Sequence, residues 1–377
     1  MKSVYVIADN ITSPLGGTSA ENFSQLKNGV TSVRVHAAGD RSPKTYYGSL
    51  FPEDFWKQNE ISSLTRFESL LALSIKDALA QANIDPVNSK TGFIISSTKG
   101  NISLLEDNNI SDALKQSISL PSSAKKIAGL FGFQSQPVIV SHACISGLVA
   151  LITAKRMLQA GMFDTIIVAG ADIITHFILS GFQSFQAVSD EACRPFDANR
   201  KGINLGEAAA TVVLSTKKPE GADVLLLSGG SVSNDANHIS GPSRTGQELF
   251  LAIENAMNEA GVSNEQIDFA SLHGTATLYN DDMESKAIRL AGLQFVPVNS
   301  LKGYYGHTLG AAGLVESIIS LYSLKENLVI PTKGFETPGT AESINVCSTL
   351  QHRPLNVCLK TASGFGGCNA AVVFEKR

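Results

Sequence analysis

The sequence predicts an α/β protein assembled from two similar halves. Three observations lead there. Short apolar runs of strand length alternate with stretches of helical period. The alternation starts again past the middle of the chain. And 377 residues that are 43% hydrophobic and 17% charged, with 32 glycines, suffice for a large buried core with many tight turns.

Taken in order, Val4–Ala8 reads as a strand. Leu64–Ala82 reads as a helix, because Leu71, Ile75, Ala78, Leu79 and Ala82 fall on one face. Thr91–Ser96 (TGFIIS) is a buried strand. Pro137–Val140 is a strand that runs through Cys144 into a helix over Gly147–Ala160. Thr165–Gly170 and Ala208–Leu214 are strands. The second series is Val224–Leu227 strand, Thr245–Ala260 helix, Ile267–Leu272 strand, Pro297–Asn299 strand and Gly313–Leu324 helix. Strands at Val357–Lys360 and Ala370–Phe374 end it. Their near-continuous apolar character suits sheets covered on both faces.

Two segment pairs suggest a duplication. LSIKDALAQANID (73–85) lies over LAIENAMNEAGVS (251–263), with Ile75/Ile253, Ala78/Ala256 and Ala82/Ala260 in step. SGLVALITAKRML (146–158) lies over AGLVESIISLYSL (312–324), sharing Gly-Leu-Val. The seam is expected in the polar STKKPEGAD (215–223), which gives halves of residues 1–219 and 220–377.

A formal net charge of −4 argues against nucleic-acid or membrane-surface binding by charge. The opening MKSVYVIADN lacks the apolar length of a signal peptide, and no segment reaches the length of a bilayer span. Five scattered cysteines without a C-x-x-C pair suggest reduced thiols in the cytoplasm.

Cys144 stands at a strand end and a helix mouth. Free N–H groups and the positive dipole end there would lower a thiol pKa, as a nucleophile needs. A small buried structural cysteine fits this stretch equally well. His273, in ASLHGTATLYNDDMES (270–285), and His307, with Lys302 in NSLKGYYGHTLGAAG (299–313), follow strand ends, where open α/β sheets place their sites. With Cys144 they form a candidate nucleophile-and-base set. The seven histidines show no metal-ligand spacing, so no metal site is expected. SGFGGCNAAVVF (363–374) lacks the phosphate-loop pattern. It reads as a tight turn, or as one that aims a backbone N–H at a developing oxyanion.

Taken together, VYVIADNITSPLGG, ACISG, CRPFDANRKGINLGEAAA, HGTAT…ND…E, KGYYGHTLGAAG and GFGGCNA resemble, in order and nearly end to end, the β-ketoacyl-(acyl carrier protein) synthases of the decarboxylating Cys-His-His branch. The resemblance implies a thiolase-like, five-layered αβαβα sandwich and usually a dimer. It implies that Cys144 takes the acyl chain, and that His273 and His307 promote malonyl decarboxylation and stabilise the enolate. Lys302 and Glu316 would support the histidine site. The N–H groups of Cys144 and Phe365 would form an oxyanion hole, and Thr275, Thr277 and Phe365 would contact the phosphopantetheine arm. The implied partner is acyl carrier protein, with a second, identical or ketosynthase-like chain. No metal or organic cofactor is implied, because decarboxylation itself supplies the carbanion equivalent.

The chain departs from the family pattern at His142 (commonly Thr), Lys201 (commonly Asp), Ala208 (commonly Gly) and Thr361-Ala362-Ser363 (commonly Asn-Ser-Phe). His142 is expected to serve packing or a subunit interface. The last departure removes an aromatic beside the expected gate at Phe365. These changes leave the catalytic set intact and point to a specialised fatty-acid-like or polyketide-like pathway. A non-catalytic, chain-length-factor-type partner would lack the cysteine, and a thiolase would carry a second catalytic cysteine, for which Cys368 is the candidate. Arg66, Lys125, Lys126, Arg200 and Lys201 are the candidate contacts for an acidic carrier protein.

Overall fold

The computed structural model describes residues 2–39, 41–106, 110–221, 224–236, 238–239 and 241–377. The principal elements of the first half are β1 (Tyr5–Thr12), α1 (Arg66–Ala82), β2 (Thr91–Ser96), α2 (Leu120–Phe131), β3 (Val138–Val140), α3 (Ser146–Gln159), β4 (Thr165–Asp172), α4 (His176–Ser184) and β5 (Ala208–Ser215). Those of the second are β6 (Leu225–Asn234), α5 (Gln247–Ala260), β7 (Phe269–Ser271), α6 (Leu278–Leu290), β8 (Val298–Asn299), α7 (Ala312–Glu326), β9 (Val357–Gly364) and β10 (Cys368–Lys376). The helices α2, α4 and α6 were not anticipated from the sequence. α6 carries the acids Asp281, Asp282 and Glu284 that follow His273. The expected seam at 215–223 ends on positions 222 and 223, which lie outside the described residues.

The strands hydrogen-bond in the order β8-β7-β9-β10-β6-β1-β5-β4-β2-β3. From β1 outward the first half runs β1-β5-β4-β2-β3, and from β6 outward the second runs β6-β10-β9-β7-β8. Each half pairs its first three strands antiparallel and its outer strands parallel. The halves thus share one topology and meet where Tyr5 and Val6 of β1 pair with Leu226 and Leu225 of β6.

Alternation along each strand builds the layers. In β2, Phe93 and Ile95 pack under α1 and α2, whereas Ile94 faces the central layer. In β10, Ala371 and Val373 pack under α5 and α6, whereas Val372 and Phe374 face the central layer. That layer is α3 and α7, held between the two half-sheets. The result is the expected five-layered αβαβα sandwich. α7 is buried on nearly every side, which is why its apolar residues show no single stripe. The segment pairs matched in the sequence occupy matching places: α1 and α5 cover outer faces, and α3 and α7 form the centre.

The two central helices approach closely through a pair of glycines. A Cβ on Gly147 would lie 2.8 Å from the Leu314 nitrogen, and one on Gly313 would lie 2.7 Å from the Leu148 nitrogen. This close packing sets the helix mouths of the two halves side by side.

Candidate active site

The turn from β3 into α3 is tight. Ala143 takes a positive φ of 44°, so the chain reverses before Cys144 and enters the helix two residues later. The His142 N–H donates to Ser146 Oγ (2.8 Å), and Ser146 Oγ–H donates to the Ala143 carbonyl, which ties the turn to the first helical residue.

His273 follows β7 by two residues. Its N–H and that of Gly274 donate to the two oxygens of Glu284, at 2.8 and 2.6 Å, and the Thr275 N–H donates to Asp281 (2.9 Å). These carboxylates of α6 hold the histidine loop through its backbone. Burial raises the pKa of both, that of Asp281 to about 7. His307 is pinned from the other half: its N–H donates to the Asn204 carbonyl (2.7 Å), and its own carbonyl accepts from the Gly206 N–H (3.0 Å).

The three side chains converge. The Cys144 Sγ and a ring nitrogen from each of His273 and His307 lie within 4.8 Å of one another, and all three residues are buried. The imidazoles meet edge to face, with ring centroids 5.1 Å apart at 83°. The Leu309 N–H donates to His307 Nδ1 (3.2 Å), so Nδ1 is the acceptor and Nε2 carries the proton. Nε2 has no hydrogen-bond partner among the described residues and is free to donate to a substrate. That tautomer also makes His307 a poor metal ligand, although two imidazoles and a thiol would suit a zinc-like ion by donor type.

Burial pulls the pKa of both histidines well below the usual imidazole value, and the Lys302 and Lys360 charges push them the same way. Both are therefore neutral near pH 7. Burial pushes the Cys144 thiol up to about 12, with Cys368 adding to the effect, while the Lys302 charge and the Phe365 N–H oppose it. The expectation was a lowered thiol pKa; the direction here is upward, with desolvation as its largest cause.

Lys302 and Glu316 are buried and form an ion pair, and the Lys302 ammonium also donates to the His273 carbonyl (3.1 Å). β9 and β10 form a hairpin whose tip is Phe365–Gly367. A Cβ on Gly364 would stand 3.0 Å from both the Cys144 nitrogen and the Cys368 Sγ, so glycine here lets the hairpin lie tightly against the nucleophile turn. A cavity of about 520 Å³ opens onto Cys144, His273, His307, Thr275, Thr277 and Phe365. The hydroxyls of Thr275 and Thr277 lie 2.8 Å apart along its wall.

The N-terminal domain model of the β-ketoacyl synthases matches residues 1–220, and the C-terminal domain model matches residues 225–336. The chain belongs to the β-ketoacyl synthase family. It is 28% identical to 3-oxoacyl-(acyl-carrier-protein) synthase 2 of Staphylococcus aureus strain COL, over 100% of this chain and 98% of that one. A ketosynthase structure from Xenorhabdus doucetiae, solved with its chain length factor, superposes with a TM-score of 0.84 at 23% identity, covering 100% of this chain and 98% of that one. A type II polyketide ketosynthase, solved with its acyl-carrier protein, superposes with a TM-score of 0.88 at 22% identity, covering 99% of each chain. At these identities the structural likeness speaks for the fold.

Against the family pattern, the aromatic expected to be missing beside Phe365 is supplied from elsewhere. Phe182 and Phe185, on α4 and just after it, hold their rings 5.4 and 5.2 Å from that of Phe365. Arg200 is no surface docking residue: it is buried, and its guanidinium binds Asp282 and the Asp197 carbonyl. Lys126 pairs with Glu68 and Arg66 with Glu53, whereas the Lys201 side chain is 60% exposed and Lys125 faces solvent. His142 is exposed, at the edge of the sheet, and does not line the cavity. Sequence reasoning met Asp281 and Glu284 only as the acids of HGTAT…ND…E, without a role, and it missed Phe182, Phe185 and Lys360. A lysine amid the apolar residues of β9 was the one plain signal for the last.

Proposed function

We propose that this ketosynthase carries out decarboxylative condensation of an acyl thioester with a malonyl thioester, both delivered on acyl carrier protein. The observation that carries the reading is the convergence of Cys144 with His273 and His307, within 4.8 Å, on a cavity of about 520 Å³. Cys144 attacks the acyl thioester and displaces the carrier thiol, which takes up the proton the cysteine loses. A neutral imidazole is the nearby group able to receive that proton in transit. The N–H groups of Cys144 and Phe365 serve the tetrahedral oxyanion.

The malonyl thioester enters next, with Thr275 and Thr277 facing its pantetheine arm. The bond between its α-carbon and carboxylate breaks and carbon dioxide leaves. The electron pair becomes an enolate whose oxygen accepts from the neutral N–H donors of His273 and His307. The α-carbon then bonds to the acyl carbonyl carbon, the carbon–sulfur bond to Cys144 breaks, and the departing thiolate takes one proton from solvent to regenerate the thiol. Atoms and electrons balance without a metal or an organic cofactor. Lys302 and Glu316 hold the histidine loop while this occurs.

Acyl carrier protein is the proposed partner. A second chain, identical or ketosynthase-like, is also proposed; the outer edge of β3 pairs with no strand among the described residues, which supports continuation of the sheet into a partner. Five unpaired, buried thiols support a reducing, cytoplasmic setting. No described helix is long and apolar enough to cross a membrane.

Incubation with acyl- and malonyl-carrier protein, read by mass spectrometry, tests the reading. The expected result is an acyl adduct on Cys144, carbon dioxide, and a carrier-bound product two carbons longer. An unmodified Cys144 would point to a non-catalytic partner subunit, and release of free acid to a hydrolase.

A further inference from the structure

β9 reads VCLKTASG, and all but its last residue are buried. Lysine is rarely buried completely without a paired charge. Lys360 is wholly buried in the middle of this strand. Its ammonium lies 2.9 Å from Glu316 Oε2 and donates to the carbonyls of Ser271 (3.1 Å), Leu272 (3.3 Å) and Thr361 (2.6 Å). Lys302 binds the other oxygen of Glu316 and donates to the next carbonyl in line, that of His273. Two buried ammonium groups therefore grip three successive carbonyls, 271 to 273, and share one carboxylate. Glu284 acts on the second cation without forming an ion pair with it, since its oxygens are engaged by the His273 and Gly274 N–H groups and the Thr361 hydroxyl (3.2 Å). One lysine suffices to pair Glu316. A second, incompletely compensated cation is costly in a dry interior, and such groups cluster where chemistry needs them.

We infer that Lys360 is a positioning residue for the decarboxylation half-reaction: it fixes the strand end that carries His273 and sets a second positive charge behind the two imidazoles, where the enolate charge develops. The inference rests on the function proposed above. In a site of low dielectric, a fixed cation stabilises a developing anion without reorganisation. The same charge disfavours imidazolium, which keeps the rings as neutral donors; burial acts first, with Lys302 and Lys360 adding to it. Of the other titratable groups, Cys144 at the mouth of α3 lies beside the ring nitrogens, Asp172 at the end of β4 accepts from the Gly310 N–H, Glu284 of α6 accepts from the His273 N–H, and Glu316 of α7 pairs with Lys302. Acyl transfer draws on the opposite wall, the Cys144 turn and the hairpin tip, and has less use for this charge.

Lys360→Gln and Lys360→Arg test the inference. The Gln variant keeps a donor for the carbonyls and leaves Glu316 paired with Lys302. For Gln, kcat of malonyl-carrier decarboxylation should fall about tenfold or more with KM little changed, and acylation of Cys144 should change less than about threefold. The imidazole titrations of His273 and His307, followed by NMR on histidine-labelled protein, should move to higher pH. Arg should restore most of the lost kcat. Equal loss in both half-reactions with unmoved titrations would make Lys360 merely structural and overturn the inference. If the Gln variant does not fold, the wild-type titration decides: both rings must stay neutral well below pH 6.5, and an ordinary titration overturns the inference. A wild-type enzyme without any malonyl decarboxylation would overturn the functional reading and the inference together, whereas an active wild type matched by its Gln variant overturns the inference alone.

Discussion

In the first half the chain leaves β3, turns at Ala143 and reaches α3 within two residues of Cys144. In the second half it leaves the matching strand β8, passes Lys302 and His307, and reaches α7 only at Ala312. The adjacent connections differ in the same way. After β2, Asp172 holds Ser97 and Thr98 through their hydroxyl and N–H groups. After β7, Glu284 holds His273 and Gly274 through N–H groups alone, which leaves the imidazole free to face the cavity. One strand order, used twice, has thus been specialised in opposite senses. The first half offers a thiol and its own backbone N–H, to which the hairpin tip of the second half adds that of Phe365. The second offers two imidazoles with two buried lysines at their backs. The difference teaches that the scaffold fixes where the connections meet, while connection length and buried charge decide which half-reaction each serves.

Removing the thiol tests this division most severely. Cys144→Ala should abolish acyl-enzyme formation while malonyl decarboxylation continues. If decarboxylation stops as well, the halves are not chemically separate. Labelling sharpens the point. All five thiols are buried, and burial raises the pKa of each, to about 12 for Cys144 and about 11 for Cys368, so thiolate content does not single out Cys144; access through the cavity does. Iodoacetamide should modify Cys144 first, faster as pH rises toward that value, and acyl-carrier protein should protect it. A rate that levels off near pH 7 would show that the helix mouth outweighs burial once the cavity admits reagent.

The imidazoles come next. His273→Ala or His307→Ala should each lower decarboxylation by about 10²-fold or more, while part of the acylation persists. The double variant should lose far less than the product of the single effects, because the rings act as one unit. Normal decarboxylation in either single variant would reduce that ring to a structural role.

The scaffold itself can be stressed at the helix crossing. Gly147→Ala would push a methyl against the Leu314 nitrogen and should destabilise the fold by about 1–3 kcal/mol, the usual scale of overpacking. Gly313→Ala should do the same, and the pair should not be additive, since both methyls enter one contact. Chemical denaturation measures this. An unchanged midpoint in both would show that the central layer can slide apart.

Much of this was legible beforehand because strand and helix periods are local. The strands Thr91–Ser96 and Val298–Asn299 and the two central helices fall where periodicity puts them, and the duplication follows from Gly-Leu-Val standing at both helix mouths. Cys144, His273, His307 and Lys302 were legible from motifs. Features that depend on which surfaces meet were not. Phe182 and Phe185 reach Phe365 across the fold, so no spacing along the chain links them. The thiol pKa depends on the depth of burial, which the sequence does not state. Arg200, read as a docking cation, turns inward because Asp197 and Asp282 capture it, and that pairing exists only once α6 is in place.

That correction yields the smallest and most selective effect. Arg200 and Lys201 are neighbours at the cavity mouth, one buried and one 60% exposed. Lys201→Glu reverses a rim charge whose one ion-pair partner among the described residues is Glu191, 3.5 Å away. Rim charges act on encounter and are screened by salt. KM for carrier-bound substrate should therefore rise about three- to tenfold at low ionic strength, shrink toward wild type as salt is added, and leave turnover of a small acyl-pantetheine thioester nearly unchanged. Arg200→Gln should behave differently, harming both substrates alike, because it removes the cation 3.9 Å from the buried Asp281 carboxylate and loosens the loop that meets α6. If Lys201→Glu harms both substrates equally, this rim is part of the scaffold and the carrier docks elsewhere on the mouth. If Arg200→Gln spares the small thioester, its charge is felt outside the protein despite its burial.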